Sequence, residues 1–391
     1  MDPRTNPYAP GAGTPPPELS GRDELIEQAS IALDRIRAGR PARSFVFYGL
    51  RGVGKTVLLN RIRIEAESQG FLAPALEAPE DRSLPGLLAP PLRATLLKLK
   101  RGAAAADKAK RAWQALAGFI GAMRVSYNDV EVHVDATALH GVADSGDLEA
   151  DLADLLVTVG EAAREAGTAV ALFVDELQYV PEAQLAALVM ALHRVSQRSL
   201  PVALVGAGLP QLLGQMGRAK SYAERMFRFV EVGSLDRDAA TGALVVPARS
   251  QGVDYEQAAV DEVLRATAGY PYFLQEWGKH CWDVANVSPI AHADAVAAGE
   301  LALAELDASF FRVRFDRLTP AEKDYVRAMA LLGPGSHRSG DIAAQLGFKV
   351  STAAPRRAAL IRKGMVYGPA HGDTAFTVPL FDAFVRRMLP D

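Results

Sequence analysis

A glycine-rich loop with one lysine and one threonine is the strongest chemical feature of the sequence. The segment GLRGVGKT, Gly49 to Thr56, follows a short apolar run and precedes an apolar run with helical spacing. It matches the pattern G-x-x-x-x-G-K-[ST] in the strand-to-helix context that this pattern requires. Glycines let backbone N–H groups curl around a phosphate, and a helix N-terminus adds partial positive charge. The loop therefore predicts binding of a nucleoside triphosphate.

The side chains of the loop suggest a division of roles. Lys55 would neutralise the β- and γ-phosphate oxygens, and the Thr56 hydroxyl would be a ligand of Mg²⁺. ATP and Mg²⁺ are therefore the expected cofactors. The residues that we expect to contact the nucleotide are Gly49, Gly52, Val53, Gly54, Lys55, Thr56 and Val57.

A pair of carboxylates follows a second apolar run. ALFVDE places Asp175 and Glu176 at the predicted end of a buried strand. There Asp175 could hold Mg²⁺, and Glu176 could orient or deprotonate the attacking water. The alternative is a pair of acids at a strand end that simply meet solvent.

Composition limits the classes of protein that the chain can be. Of 391 residues, 49% are hydrophobic and 23% charged, which is typical of a globular protein with more than one core. The formal net charge of -3 gives no global argument for a nucleic-acid partner. Cys281 is the single cysteine, which excludes an internal disulfide framework and fits a reducing cytoplasm. No apolar run approaches the ~20 residues of a spanning helix, so we expect a soluble, cytoplasmic protein without a membrane partner.

The elements that must position these residues alternate along the chain. Residues 1–20 are rich in Pro and Gly and predict a flexible tail or an extended strap. Apolar strands alternating with helices over residues 21–235 indicate an α/β domain whose parallel sheet is covered on both faces. Two helical patterns near 80–125 form an insertion. Strands are expected at 44–49, 130–136, 168–176, 200–208 and 227–235.

Three motifs together resemble a known family. GRDELI at 21–26, GLRGVGKT and LFVDE resemble the AAA+ ATPases, in particular the branch of Orc1/Cdc6-like initiator ATPases and related STAND signalling ATPases. The resemblance covers about residues 15–300. It implies a P-loop NTPase of AAA+ type, a three-layer αβα sandwich over 21–235, followed by a helical lid at 236–305. It also implies that Leu19, Gly21 and Arg22 border the adenine, whereas Ser20 could instead be a helix N-cap.

The sequence departs from this family in two places. VGAGLP offers only Gly206, Ala207 and Gly208 where many relatives carry a polar sensor residue, so slow turnover is expected. In the lid, the sensor-2 arginine of Orc1/Cdc6-like proteins is not found at the matching place. The lid contains instead Gly269-Tyr270-Pro271, which resembles the GxP element of STAND lids and implies that Pro271 lies near the nucleotide. The alternative is a proline in the first turn of an ordinary helix.

A transition-state arginine is the remaining part of such a site. Arg225 and Arg228 precede the last strand, where the branch often carries an arginine finger that reaches a neighbouring subunit. The resemblance therefore implies that Arg225 acts across a homo-oligomer, and Arg228 is the weaker candidate. A surface ion pair is the alternative for both residues.

The last part of the chain, residues 306–391, is called the C-terminal module below. Its order of helix, short helix, helix, β-hairpin and helix resembles a winged helix-turn-helix domain. From Ser309 onward, Lys and Arg number 13 against 7 Asp and Glu, a local charge of +6, while the rest of the chain has 30 against 39. The expected phosphate contacts to double-stranded DNA are Lys349, Arg356, Arg357, Arg362 and Lys363. Exposed helix faces, or a module that serves as an internal clamp, would explain the same charges.

Two hypotheses of function follow. The first is a Mg²⁺-dependent ATPase whose nucleotide state controls a DNA-associated assembly, with a protein client as a further possible partner. The second is a STAND-like ATP/ADP switch with slow hydrolysis, in which the C-terminal module does not bind DNA.

Overall fold

The computed structural model describes residues 1–11, 19–100, 106–130, 134 and 137–389. The chain divides into two compact units. One, called the sheet unit below, consists of residues 24–48 and 55–231. The other, called the helical unit, consists of 1–23, 49–54 and 232–391. In the described part of the chain, no helix is both long enough and apolar enough to cross a membrane.

A parallel five-stranded sheet is the centre of the sheet unit, in the order β2-β3-β4-β1-β5. The predicted α/β class is confirmed. The strands are β1 (Ser44–Tyr48), β2 (Ala75–Glu77), β3 (Val170–Asp175), β4 (Val202–Gly208) and β5 (Phe227–Glu231). The helices are α1 (Asp23–Arg37), α2 (Lys55–Ser68), α3 (Leu84–Lys100), α4 (Ala106–Ser126), α5 (Leu148–Glu165), α6 (Glu182–Gln197), α7 (Leu212–Ala219) and α8 (Ala223–Met226).

Both faces of the sheet are buried, as the continuous apolar strands predict. Every residue of β3 and of β4 is buried. Alternate residues Val170, Leu172 and Val174 belong to one large core with helices α3 to α6, and α2 also packs on β3 and β4. Because the strands are parallel, their carboxyl ends meet at one edge of the sheet, and Asp175 is the last residue of β3 there.

The insertion near 80–125 forms part of the hydrophobic core of the sheet unit. Helices α3 and α4 pack on each other, α4 packs on α5, and α3 covers the short edge strand β2. Leu88, Leu92 and Phe119 of these helices are fully buried. Strand β2, which pairs with β3, was not predicted from the sequence. The strand predicted at 130–136 falls largely outside the described residues.

Four helices form the first part of the helical unit: α9 (Arg237–Ser250), α10 (Gln257–Thr267), α11 (Pro271–Val284) and α12 (His292–Glu305). The start of the chain packs against them. The buried Tyr8 hydroxyl donates to the Leu244 carbonyl and lies 3.0 Å from the Tyr255 hydroxyl. A Cβ on Gly278 would overlap the Tyr8 ring, at 2.5 Å from its nearest carbon. The aromatic ring therefore requires glycine at this position of α11.

The C-terminal module continues the helical unit. A π-helical turn at Leu306–Phe311 leads into its helices, and its small antiparallel sheet has the order β6-β8-β7. Thr319 and Glu322 form a capping box at the start of α14. The elements are α13 (Arg312–Asp316), α14 (Pro320–Leu331), β6 (His337–Arg338), α15 (Ser339–Gln345), α16 (Val350–Arg362), β7 (Val366–Tyr367), β8 (Asp373–Phe376) and α17 (Phe381–Met388).

The buried Glu276 of α11 predicts a pH dependence of stability. The pKa of Glu276 is raised from 4.5 to about 7, because burial, with a smaller contribution from the Glu305 charge, outweighs the opposing effect of Lys279. The folded state therefore holds a proton that the unfolded chain releases, so the free energy of unfolding should fall as pH rises from about 4.5 to 7. In Glu276→Gln this part of the slope should disappear in denaturant titrations. The exposed Glu300→Gln is the control, and an unchanged slope in Glu276→Gln would contradict the prediction.

Candidate active site

Thr56 and Asp175 lie together at the carboxyl edge of the sheet. The Thr56 hydroxyl, in the first turn of α2, donates to Asp175 Oδ2 at 2.6 Å. Burial raises the pKa of Asp175 and the Glu176 charge raises it further, while the Thr56 hydrogen bond opposes the shift. Lys55, only 7% exposed, begins the same helix. The sheet unit therefore brings two side-chain oxygens together at the end of β3, and the residue before Thr56 is the buried Lys55.

Glu176 is held in place by a residue that the sequence did not single out. Its backbone has φ 54°, in the left-handed region that a non-glycine residue adopts at some cost in energy. The buried Gln178 side chain donates from Nε2 to Glu176 Oε2, while its Oε1 accepts from the Leu209 N–H at 2.9 Å. Gln178 thus links the carboxylate to the end of β4. The only sequence signal was a polar residue shortly after the acid pair.

Close packing explains why glycines stand at the end of β4. A Cβ on Gly206 would overlap Leu177, which is fully buried. A Cβ on Gly208 would lie 2.7 Å from Gln178 Oε1. Side chains from the segment after β3 therefore occupy the space into which a polar residue of β4 would project. This explains why the sequence carries no such residue here.

Residues 49–54 of the glycine loop pack within the helical unit. Gly52 and Gly54 have φ of 85° and 90°, a conformation that glycine adopts without strain. The Tyr270 hydroxyl donates to the Arg51 carbonyl, and the Tyr272 N–H donates to the Gly52 carbonyl at 3.1 Å. A Cβ on Gly52 would lie 3.1 Å from both tyrosines. The tyrosines on either side of Pro271 are thus the residues of GYPY that contact the loop.

Two other loop positions and Pro271 have local roles. A Cβ on Gly49 would overlap the Val232 carbonyl, and Val53 is buried. Pro271 occupies the first turn of α11, as the ordinary-helix alternative expects. Gly269, with φ 67°, accepts at its carbonyl from the Leu235 N–H at 2.9 Å. Val57 lies in α2 of the sheet unit, half-buried.

The segment around Gly21 packs on α9. The Arg22 guanidinium donates to the Gly233 carbonyl, and burial lowers the pKa of Arg22. Gly21 has φ 70°, and a Cβ there would lie 2.6 Å from Ala239. Leu19 and Ser20 are half-buried, and α1 begins only at Asp23.

Arg225 lies near the amino-terminal ends of the strands, whereas the acid pair lies at their carboxyl ends. It precedes Phe227, which is the first residue of β5 and pairs with Ser44 at the start of β1. A parallel strand of five residues is about 16 Å long, and this distance separates the amino-terminal ends of the strands from their carboxyl ends. Arg225 lines a cavity of about 320 Å³ there. The fold of one chain therefore does not bring it to Glu176. Arg228 lies over the Phe45 ring at 5.4 Å.

The basic residues of the C-terminal module differ in their exposure to solvent and in their bonding partners. Arg357 donates to the Thr374 hydroxyl at 2.7 Å and to a backbone carbonyl of the hairpin. Lys363 forms an ion pair with Glu322 at 2.7 Å. Arg356 is half-buried and lies over the Phe348 ring at 4.8 Å. Among the five predicted DNA contacts, Lys349 and Arg362 are the exposed ones.

Two family models match parts of the chain. Residues 18–205 match the model of a family described as AAA ATPase domain, and residues 308–385 match a domain of unknown function, DUF8462. No curated protein sequence matches the chain.

Several solved structures are similar to the chain over nearly its whole length. The Walker-type ATPase of Pyrococcus abyssi has a TM-score of 0.58 at 15% identity, over 95% of this chain and 97% of that one. The Orc1 protein of Aeropyrum pernix in complex with DNA has a TM-score of 0.48 at 16% identity, over 96% of each chain. The RuvB Holliday junction branch migration motor of Thermotoga maritima has 0.44 at 15%, over 91% and 92%. The first similarity shows a common fold, and we draw no conclusion from the other two.

The packing at Gly206 predicts a steric effect on stability. Gly206→Ala would force a methyl group against the fully buried Leu177, so the free energy of unfolding should fall by about 1–3 kcal/mol. Gly217→Ala, in α7 with no atom within 4 Å of the added Cβ, should be neutral or slightly stabilising. Urea denaturation of both variants measures the difference. Equal stabilities would show that Leu177 can move away without cost.

Proposed function

We propose that the chain binds ATP with Mg²⁺, hydrolyses it slowly and signals the nucleotide state through its C-terminal module, since residues 18–205 match the family described as AAA ATPase domain. The observation that carries the proposal is the arrangement at the end of β3. There Thr56 is bonded to Asp175, and Glu176 is held by Gln178.

The residues at this edge suit a magnesium ion. Mg²⁺ prefers oxygen ligands, keeps several waters and binds through one or two carboxylates together with phosphates. The Thr56 hydroxyl and the Asp175 carboxylate supply such oxygens, and both are already oriented toward one point by their 2.6 Å hydrogen bond. When bound, the ion would neutralise charge on the β- and γ-phosphates. Lys55 would add a second positive charge to the same oxygens.

Glu176 is the proposed base for hydrolysis. Its carboxylate lies one residue beyond Asp175, and Gln178 restrains its rotation. The site has no polar side chain at Gly206 to Gly208 that could touch the γ-phosphate, which supports slow turnover. Arg225 cannot supply the missing charge to the same chain, because it lies at the other edge of the sheet. We propose that it acts on a neighbouring copy in a homo-oligomer.

This assignment predicts a separation of binding from turnover. Glu176→Gln should still bind ATP while its turnover falls on the order of 10²- to 10⁴-fold, since the base is lost. Gln178→Leu should lower turnover less and leave the ATP affinity nearly unchanged, because it removes the Gln178 hydrogen bonds to Glu176 and to the Leu209 N–H but keeps the Glu176 carboxylate. Phosphate release measures the first quantity and calorimetric titration with MgATP the second. Gln197→Leu, exposed at the end of α6, is the matched control.

Two outcomes would contradict the assignment. Wild-type turnover in Glu176→Gln would remove the proposed base, and absence of ATP binding in the wild type would remove the proposed site. Repeating the assay over a range of protein concentrations tests assembly. A rate per subunit that rises with concentration, and no longer does so in Arg225→Ala, supports a finger in trans.

Hydrogen bonds within the helical unit support the switch as the role of the C-terminal module. The Arg51 N–H donates to the Thr377 carbonyl at 3.1 Å, and Arg51 Nε donates to the Gly364 carbonyl at 3.3 Å. Residues 364 and 377 flank the hairpin of β7 and β8. A change in the loop on nucleotide binding would therefore act directly on the module. The internal bonds of Arg357 and Lys363 agree with this role.

Binding of duplex DNA is the second candidate function. Its support is the local charge of +6 from Ser309 onward and the exposure of Lys349 and Arg362 on or beside α16. Phosphate contacts by these side chains would position the module on a duplex without reading its sequence.

A salt series decides between the two roles of the C-terminal module. If Lys349 and Arg362 contact phosphates, the logarithm of the affinity for a duplex should fall with the logarithm of the salt concentration by about 0.9 per contact. Replacing both by alanine should then reduce the slope by about 2. Filter binding measures it, with the exposed Lys98→Ala of α3 as control. Salt-independent or undetectable binding would leave the switch alone.

A further inference from the structure

Arg314, in helix α13, is a half-buried guanidinium that has no carboxylate partner among the residues that the structure describes. Its Cζ lies 3.9 Å from the centroid of the Phe310 ring, and its Nη1 donates to the Phe310 carbonyl. Within the described ranges, no acidic side chain lies within ion-pair distance of it. Its neighbour Arg312 differs in this respect, because it is exposed and pairs with Asp316 at 3.2 Å.

A short series of contacts links Arg314 to the glycine loop inside the helical unit. The Phe310 ring stacks on the Tyr272 ring, with centroids 4.5 Å apart and planes inclined by 22°. The Tyr272 N–H donates in turn to the Gly52 carbonyl at 3.1 Å. The hydroxyl of Tyr270 bonds to the Arg51 carbonyl. The guanidinium is therefore packed beside aromatic residues that themselves hold residues 51 and 52.

The electrostatic surroundings of Arg314 oppose its charge. Burial and the neighbouring Arg51 lower the pKa of Arg314 from 12.5 to about 10, and Arg317 acts in the same direction, while Tyr272 and Tyr270 partly oppose the shift. The negative face of the Phe310 ring offsets part of the cost of burial, but a ring is a weaker partner than an anion. A desolvated guanidinium normally has a carboxylate or phosphate as its counter-ion. Such a counter-ion beside Arg314 would remove the unfavourable interaction with Arg51.

We propose that Arg314 binds a phosphate oxygen of the nucleotide held by the glycine loop, so that the C-terminal module contacts the nucleotide directly. This inference rests on the proposed function of the loop. Phosphate is the anion of choice because Arg314 lies over the Phe310 ring, and that ring stacks on Tyr272, which donates to Gly52 of the loop. The planar guanidinium can donate two parallel hydrogen bonds to one phosphate. Arg314 precedes α14 by few residues, so the position of this helix would depend on the bound nucleotide.

Calorimetric titration of the full chain with MgATP and MgADP tests the inference. Arg314→Met keeps the packing on Phe310 but removes the charge, and it should weaken nucleotide binding on the order of tenfold to a hundredfold, as expected for a lost hydrogen bond to a charged group. Arg314→Lys, which keeps a charge without the planar fork, should lose less. Arg312→Met, two residues away on the surface of the same helix, is the matched control and should bind as the wild type does.

The outcomes distinguish this inference from the function on which it rests. Binding by Arg314→Met within twofold of the wild type would overturn the role of Arg314 and leave the ATP site intact. A wild type that binds neither nucleotide would overturn the proposed function itself. A purely structural role predicts a lower melting temperature without nucleotide and an unchanged affinity in the folded fraction. If Arg314→Met does not fold, Arg314→Lys decides: wild-type affinity overturns the inference, and a weakened affinity at an unchanged melting temperature supports it.

Discussion

The parallel register of the central sheet is the constraint on which the candidate site depends. Strands β1, β4 and β3 run side by side in the same direction, so the segments that follow β1 and β3 leave the sheet at one edge. The first turn of α2 then meets the end of β3, and the Thr56 hydroxyl reaches Asp175 without any further element. The same register carries Arg225 to the other edge, because it lies just before β5 and not after it.

Close packing at the carboxyl edge decides which chemistry the site can perform. Leu177 and Gln178 fill the space beside Gly206 and Gly208, and in return Gln178 holds the Glu176 carboxylate. A polar side chain on β4 would have to displace them. The protein thus has a restrained carboxylate in place of a polar group on the strand. Under the proposed function, this arrangement would favour retention of nucleotide over rapid turnover, as a switch requires.

In the helical unit, the glycine loop is hydrogen-bonded to the C-terminal module. Arg51 donates hydrogen bonds to the carbonyls of Gly364 and Thr377. The Tyr270 hydroxyl and the Tyr272 N–H donate to carbonyls of the loop itself. Arg314 approaches the same residues from α13 with an unneutralised charge. If phosphate is the counter-ion of Arg314, the module responds to the ligand by electrostatics as well as by packing. DNA contacts by Lys349 and Arg362 would be a separate property of its exposed surface.

The sequence by itself determined the features that depend on neighbours along the chain. The glycine loop, the Asp175-Glu176 pair at the end of an apolar strand and the helices of the insertion could all be predicted, because their signals are local spacing and hydrophobic periodicity. Strand β2 was missed because its three residues are too few and too exposed for a pattern, and only pairing with β3 defines it.

Tertiary structure alone decided the rest. Gln178 holds Glu176 through a bond to the end of β4, and Arg357 and Lys363 bond to residues of their own module that are distant in the chain. Arg314 has no carboxylate partner among the described residues, which also depends on how separate segments pack. Residue type and spacing determine which groups are available, whereas the approach of separate segments determines which of them are paired, buried or left charged.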